Sequence, residues 1–190
     1  MGLLGAAGLG IAGYCLRDYT YIAADWDSDH DLVQHLHGLS HINVPEVKFH
    51  DVHDLTQSRD ESLNCSIKAS LKRRLDISRT FVLIVSDTTN SVASGSCQYC
   101  ESYNSYTRCC ARGYSVSYDS YIQYECDMAV QAAKERPMDI FVLYKAICVH
   151  KEWCPDVICN IGSHIPAWVM YGNQLKYNDA ELIHVLQRCC

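Results

Sequence analysis

The sequence predicts a doubly wound α/β fold built on a parallel sheet of about five strands. Strand-like and helix-like runs alternate along the chain, and this alternation is typical of a parallel sheet covered by helices on both faces. The run 80–86 is continuously apolar, which indicates a central strand buried on both faces. The chain has 190 residues, 48% of them hydrophobic and 20% charged, so it is long enough for one domain with a substantial core.

The first half of the chain is predicted to supply three strands and two helices. Residues 19–24 form a β-rich run that ends in the acidic and aromatic segment 25–29. Ser28 or Asp29 is expected to cap the next helix, whose buried face would carry Leu32, Val33, Leu36 and Leu39. Residues 47–52 alternate like a second strand. The polar loop 53–64 leads to a second helix, with its buried side formed by Ile67, Leu71, Leu75 and Ile77.

The second half continues the alternation after the third strand, 80–86. A segment rich in cysteine and tyrosine, residues 94–120, interrupts it, and we call this segment the Cys-rich insertion. Glu125 then lies at the start of a predicted helix, in the run 121–130. The remaining elements are a fourth strand, a short fifth strand and a final helix, predicted over 139–144, 167–171 and 179–187.

Glu125 is a candidate catalytic group because of this placement. In an open parallel sheet, ligands bind beyond the carboxyl ends of the strands, and the loops that start at Asp25, Asp51 and Ser86 lie at that edge. A carboxylate near the rim of such a sheet suits catalysis. The simpler interpretation is that a Glu in the first turns of a helix complements the helix dipole.

The net charge of the chain narrows the kinds of partner that the protein can bind. The net charge of -6 argues against a nucleic-acid partner, which normally selects a basic surface.

Residues 1–16 are almost wholly apolar and contain no Lys or Arg, and they are short for a membrane span. Two interpretations stay open: a marginal anchor that holds the domain, residues 17–190, on the cytoplasmic side of a membrane, or a buried or frayed end.

The 12 cysteines favour reduced thiols in a cytosol, because a chain of this length does not depend on disulfides for its core. The Cys-rich insertion contains Cys97-x-x-Cys100 followed by the adjacent pair Cys109 and Cys110. A Cys-x-x-Cys pair with a second ligand pair is typical of structural zinc, although adjacent cysteines form an awkward second pair. Zinc, a disulfide and free loop thiols therefore remain as alternatives for these four residues.

An ordered series of segments resembles the TIR-like domain family of bacterial antiphage Thoeris systems. The matching pieces are residues 25–27, 49–54, the loop through Arg59, Asp60 and Ser62, then 67–78, 81–85 and 121–125. The resemblance covers roughly residues 18–150. In the family, the last piece commonly reads aromatic-x-x-Trp-Glu-Ile, and here Tyr124 replaces the Trp and Cys126 the Ile. The fold it implies is flavodoxin-like, in agreement with the strand and helix pattern.

The resemblance implies that the protein cleaves NAD at the nicotinamide–ribose bond. Glu125 would be the catalytic residue, and the product would be a cyclic or conjugated ADP-ribose that activates an effector protein. The substrate-binding residues would be Asp25, Trp26, Asp51, His53, Asp54, Arg59 and Tyr124. The leaving nicotinamide is neutral and the ribose becomes oxocarbenium-like, so one carboxylate is enough to stabilise the charge.

Two alternatives to this function remain at the level of the sequence. A TIR-like domain can also act without catalysis, as a module that self-assembles or binds a partner. A flavodoxin-like domain can bind a nucleotide for another chemistry. Gly8, Gly10 and Gly13 imitate a Gly-x-Gly-x-x-Gly motif, but the chain before them is too short to supply the strand that the motif should follow, which argues against a dinucleotide redox site.

Overall fold

The computed structural model describes residues 19–51, 63–113 and 115–189. In chain order its strands are β1 (Tyr19–Ala23), β2 (Lys48–Asp51), β3 (Ser78–Val85), β4 (Tyr103–Asn104), β5 (Cys109–Cys110), β6 (Asp139–Tyr144), β7 (Ser163–Pro166), β8 (Trp168–Tyr171) and β9 (Gln174–Tyr177). Five of them form a wholly parallel sheet in the order β2-β1-β3-β6-β7. This sheet confirms the predicted doubly wound α/β fold.

The run 80–86 forms most of the central strand, as predicted. β3 pairs with β1 on one side and with β6 on the other, and its residues 80–85 are all buried. A strand in this position has helices over both faces, so both sets of alternating side chains must be apolar.

Four α-helices cover the two faces of the sheet in the described part of the chain. They are α1 (Trp26–Asn43), α2 (Asn64–Asp76), α3 (Tyr121–Glu135) and α4 (Asp179–Gln187). One core cluster joins β-strand residues such as Tyr21 and Phe81 to α2 and α3. The other joins Ile22 and Val82 to α1 and α4. Adjacent strand residues therefore point to opposite helical layers, as the pleat of a strand requires.

The start of α1 differs from the one expected. α1 begins at Trp26, so Asp25 rather than Ser28 or Asp29 occupies the N-cap position. Asp29 lies in the first turns of the helix, where its carboxylate accepts a hydrogen bond from the Asp25 N–H at 3.2 Å.

In α3 the hydroxyl of Ser120 accepts a hydrogen bond from the Gln123 N–H at 3.1 Å, which fixes the first turn. Glu125 consequently lies in the second turn of α3.

Two further expectations are wrong. Ile77 ends α2 with 42% of its surface exposed, because the chain turns directly into β3. The fifth strand of the sheet is β7, whereas the predicted strand 167–171 is mainly β8, which pairs with β9 in a separate antiparallel hairpin. The two-residue connection Gly172-Asn173, with a φ of 60° at Gly172, is a hairpin signal that outweighs the apolar pattern of the run.

The N-terminal segment, residues 1–16, lies outside the described residues. Within the described ranges, no helix combines the length and the apolar character that crossing a membrane requires.

Gly162 lets β7 approach β6 closely, and its replacement is our first prediction. Gly162 has a φ of 82°, and a Cβ there would lie 2.3 Å from the Ile140 carbonyl oxygen and 2.8 Å from the Ile140 Cβ. We expect Gly162→Ala to lower the free energy of unfolding by about 3 kcal/mol or more, because the collision with backbone adds to the cost of positive φ. Urea denaturation measures the loss.

Gly172→Ala is the matched control for this prediction. Gly172 also has a positive φ, but a Cβ there would meet nothing within 4 Å. Its replacement should therefore cost only about 1 kcal/mol, the usual cost of a left-handed residue. Equal losses in the two variants would show that close packing of β7 on β6 contributes nothing.

Candidate functional site

An open cleft lies at the carboxyl edge of the sheet, where the strand order reverses direction at β1 and β3. Its volume is about 280 Å³, and it is lined by Ser28, Ser86, Asp87, Thr88, Lys145, Trp153 and Trp168. Ser86, Asp87, Thr88, Lys145 and Trp168 follow the carboxyl ends of strands closely, whereas Ser28 lies in the first turn of α1 and Trp153 in the longer connection after β6. The position matches the general rule for ligand sites in doubly wound sheets.

Lys145 fixes one wall of this cleft. It follows β6 directly, and its ammonium group donates to the backbone carbonyl of Ser28 and to Asp31 Oδ1, the latter at 2.5 Å. Partial burial raises the pKa of Asp31, but the hydrogen bond and charge of Lys145 outweigh it and hold that pKa below its usual value. The bridge thus joins the end of β6 to the first turns of α1, and the half-exposed carboxylate of Asp31 compensates the positive charge.

Hydroxyl groups supply the polar surface of the cleft. Ser28 Oγ lies 3.5 Å from Ser86 Oγ, which is 3.0 Å from Thr88 Oγ1. The Ser86 N–H donates to Thr89 Oγ1 at 2.8 Å, which holds the loop after β3 in place. With the indoles of Trp153 and Trp168 in the same lining, the cleft can hold a ligand that combines a flat ring with polar groups.

Glu125 lies in a different place, on the side of α3 that faces β1 and α2. It is 4% exposed, and Glu125 Oε1 accepts a hydrogen bond from the Tyr21 hydroxyl at 2.5 Å. A narrow void without room for a water molecule adjoins it, with a lining formed by Tyr21, Leu71, Lys72, Leu75, Tyr124, Glu125 and Met128. Glu125 is therefore a buried acid in a mainly apolar layer rather than a group on the open rim of the sheet.

The environment of Glu125 changes its titration. Burial raises the pKa of Glu125 to about 8, and the hydrogen bond from Tyr21, which favours the carboxylate, offsets only part of that effect. The charged form is disfavoured because the surrounding layer cannot solvate it. At neutral pH the group is mostly a neutral acid, and a positive charge nearby would favour its ionisation.

Only part of the predicted site comes together in the described structure. Tyr124 and Glu125 line the same void. Asp25 lies at the N-cap of α1, where its carboxylate accepts a hydrogen bond from Ser28 at 3.0 Å. Asp25 thus belongs to the surroundings of the carboxyl-edge cleft, on the opposite helical layer from Glu125.

Of the five other predicted substrate-binding residues, two lie within the described part of the chain. Trp26 is the first residue of α1 and Asp51 the last residue of β2, so both lie at the carboxyl edge, as expected. His53, Asp54 and Arg59 lie outside the described residues.

The Cys-rich insertion is fastened to α2 by Lys68, which the sequence pattern did not single out. Lys68 is 6% exposed, and its ammonium donates to Ser117 Oγ at 2.9 Å and to the Asp119 carbonyl at 2.8 Å. The same ammonium lies 5.4 Å from the centre of the Tyr124 ring. Desolvation lowers the pKa of Lys68. One buried cation therefore positions both the end of the insertion and the aromatic residue next to Glu125.

The four cysteines proposed for zinc do not converge on a ligand set in the described structure. Cys97 is buried and accepts a hydrogen bond from the Ser117 N–H at 3.4 Å. Cys109 is exposed and donates to the Thr107 carbonyl at 3.2 Å. Across residues 19–51, 63–113 and 115–189, no three His, Cys, Asp or Glu residues are placed to hold a metal ion. The ten cysteines in these ranges are free thiols, and zinc remains a prediction from spacing alone.

Several site residues were not found by sequence reasoning. Lys145 and Trp168 each follow a strand of the sheet closely. Correct bounds for β6 and β7 therefore suffice to predict that both lie at the carboxyl edge. Tyr21 is a polar aromatic residue within a buried strand, which is itself a signal for a hydrogen-bonding partner. The identity of that partner, 104 positions away, is not visible in the local pattern.

Comparison with known proteins adds no assignment. The chain matches no protein-family model, and no curated protein sequence is significantly similar to it.

The raised pKa of Glu125 makes stability depend on pH, which is our second prediction. The group binds its proton up to pH about 8 in the folded chain but only to about 4.5 when unfolded, so stability is fully present below pH 4.5 and declines as pH rises toward 8. The loss attributable to Glu125 is on the order of 4 kcal/mol.

Glu125→Gln tests this directly, because the amide oxygen can still accept the Tyr21 hydrogen bond but the side chain cannot titrate. Urea denaturation at pH 5 and at pH 8 should show a smaller decline for the variant than for the unmodified protein. Asp29, whose pKa burial also raises, is present in both proteins and cancels in the comparison. Identical pH dependence in the two proteins would refute the buried-acid assignment.

Proposed function

We propose that the protein is a TIR-like enzyme of antiphage defence that cleaves NAD at the nicotinamide–ribose bond. Its ADP-ribose-derived product, cyclic or conjugated, would activate a partner effector, and the reaction would take place in the cytoplasm. The proposal rests first on the resemblance of residues 18–150 to that family. The parallel sheet of order β2-β1-β3-β6-β7 is compatible with it.

The single observation that best supports the proposal is the environment of Glu125. A carboxyl group held out of water beside a tyrosine hydroxyl is costly to maintain for stability alone, and strongly perturbed carboxyl groups are enriched at functional sites. Glu125 is also the residue to which the resemblance assigns catalysis. The buried, perturbed carboxyl group therefore supports the role that the resemblance implies.

The raised pKa suggests how a single carboxyl group could act. Cleavage turns the ribose into an oxocarbenium-like cation while nicotinamide leaves as a neutral molecule, so no strong acid is needed. The approach of this positive charge would favour ionisation of Glu125, because an opposite charge nearby stabilises a carboxylate. The carboxylate would then stabilise the transition state in a layer of low polarity, where such an interaction is strong.

Access to Glu125 would require movement of the half-buried side chains above it. Tyr124 and Met128 line the void together with Glu125, and they lie on the same helix. In this proposal, their displacement admits the nicotinamide ribose. The residues 53, 54 and 59 would cover the nucleotide, as the resemblance implies.

A second candidate function is assembly without catalysis, and one surface favours it. The hairpin of β8 and β9 exposes four large apolar side chains. Val169 is 40% exposed, Met170 49%, Tyr171 75% and Leu175 49%. Clustered exposed apolar residues often mark contacts with other proteins. A homo-oligomer formed through this hairpin is compatible with either function.

Loss of nicotinamide release in Glu125→Gln is the third prediction. We expect the rate to fall about 100-fold or more, as when a group that stabilises transition-state charge is removed. Purified protein is incubated with NAD, and nicotinamide and the ADP-ribose products are quantified by mass spectrometry.

Glu135→Gln is the matched control, because Glu135 is the exposed last residue of α3 and its carboxylate accepts a hydrogen bond from Gln131 in the same helix. It should leave the rate unchanged. Undiminished release by Glu125→Gln would eliminate Glu125 as the catalytic group. Absence of release by the unmodified protein, with partner binding intact, would favour the assembly function instead.

The fourth prediction concerns Tyr21. If the carboxylate of Glu125 is the active form, kcat/KM should rise with pH and level off above about 8, the pKa of Glu125. Tyr21→Phe removes the hydrogen bond that favours the carboxylate, so the rise should move to higher pH. The pH profile of nicotinamide release measures this, and a rise that stays in place or moves to lower pH would contradict the role assigned to Tyr21.

A further inference from the structure

The loop that follows β6 contains a hydrogen-bonded series of three side chains. Cys148 Sγ lies 3.1 Å from His150 Nε2, and His150 Nδ1 lies 2.8 Å from Glu152 Oε1. Cys148 is exposed, and the side chains of His150 and Glu152 are 31% and 67% exposed. A thiol, an imidazole and a carboxylate in this order form the arrangement in which a base activates a nucleophile and a third group orients the base.

Several contacts hold the imidazole in this position. The Trp153 ring stacks on the His150 ring, with 4.0 Å between centroids and 11° between planes. Residues 151–153 form a 3₁₀ turn in which the Trp153 N–H donates to the His150 carbonyl at 3.0 Å. The turn is anchored to the loop after β3, because Asn90 Nδ2 donates to the Glu152 carbonyl at 3.0 Å.

The series fixes the roles of the two imidazole nitrogens. The hydrogen bonds from its own N–H and from His150 hold the pKa of Glu152 below its usual value, so Glu152 is an acceptor and the proton between it and His150 belongs to Nδ1. His150 Nε2 then presents a lone pair to Cys148 and can take the thiol proton. The resulting imidazolium is stabilised by the carboxylate on one side and by the stacked indole.

Three other thiols have different surroundings. Burial raises the pKa of Cys126 and raises that of Cys154 to about 11, so both are held as thiols. Cys109 is exposed like Cys148, but its thiol donates to the backbone carbonyl of Thr107, which is not a base. Cys109 therefore provides a comparison of similar exposure without a base.

We propose that Cys148 is an activated nucleophile that undergoes exchange with small disulfides. His150 removes the thiol proton, the Cys148 sulfur attacks one sulfur of the disulfide, and a new S–S bond forms as the old one breaks. The departing thiolate takes the proton from the His150 imidazolium, so the products are a mixed disulfide on Cys148 and one free thiol. No additional oxidant is consumed.

The exposure of Cys148 favours this chemistry over acyl transfer. Exchange at sulfur needs an in-line approach from solvent, whereas acyl transfer needs donors arranged around a developing oxyanion. Trp153 stacks on His150 and also lines the carboxyl-edge cleft. A group attached to Cys148 would therefore lie at the rim of that cleft.

The experiment uses the full chain and hydroxyethyl disulfide, a neutral probe. The reduced protein is exposed to the probe at pH 6, the reaction is quenched with acid, and labelling of each cysteine is followed by peptide mapping with mass spectrometry. We expect Cys148 to react about five- to tenfold faster than Cys109, because His150 can accept the Cys148 thiol proton. His150→Gln should bring the Cys148 rate down to that of Cys109.

His184→Gln is the matched control, because His184 is an exposed histidine on α4 and its loss should leave the Cys148 rate unchanged. For the positioning residue Glu152, the readout is the ultraviolet absorbance of the thiolate, taken as the difference from Cys148→Ser. That absorbance should decrease in Glu152→Gln while the circular dichroism stays the same. Equal rates at Cys148 and Cys109, or a Cys148 rate that does not respond to His150→Gln, would overturn the proposal.

Discussion

The hydrogen bond between Tyr21 and Glu125 joins β1 to α3 across the apolar layer on one face of the sheet. A carboxyl group left without a partner in such a layer would cost several kcal/mol, so α3 can pack only in the rotation that brings Glu125 to Tyr21. The same rotation directs Ile122, Cys126 and Ala129 into the core. One polar contact thus sets the register of the helix, while the surrounding apolar contacts supply most of its stability.

The two polar regions of the protein differ in how they treat charge. At the carboxyl edge, the ammonium of Lys145 is already paired with Asp31, so the cleft presents mainly hydroxyls and indoles to a ligand. Beneath α2 and α3, burial keeps Glu125 mostly neutral at pH 7. The ion pair compensates the charge of Lys145, whereas protonation keeps Glu125 uncharged. The two regions therefore limit the cost of burying an ionisable group in different ways.

The fold was largely readable from the sequence, whereas the site was not. Alternation of strands and helices, and the continuous apolar run of β3, follow from local periodicity and predict the parallel sheet. The error at residues 167–171 was avoidable, because Gly172-Asn173 is a local hairpin signal. By contrast, the partner of Glu125 and the bridge from Lys145 to α1 join residues more than 100 positions apart. Only the assembled sheet brings such pairs together, so no local pattern contains them.

The Cys-rich insertion affects Glu125 through its two ends rather than through the cysteines of its β4–β5 hairpin. At its start, the Ser94 carbonyl accepts the Tyr121 N–H at 2.8 Å, and the Tyr121 ring lies so close to Gly95 that a Cβ there would be 2.6 Å from it. Asn64, the first residue of α2, accepts the Tyr121 hydroxyl at 2.9 Å and donates to the Ser96 carbonyl at 3.0 Å. The first turns of α2 and α3 and the start of the insertion are therefore bonded to one another. Because the β4–β5 hairpin lies outside this set of bonds, changes in its cysteines can leave the position of Glu125 unchanged.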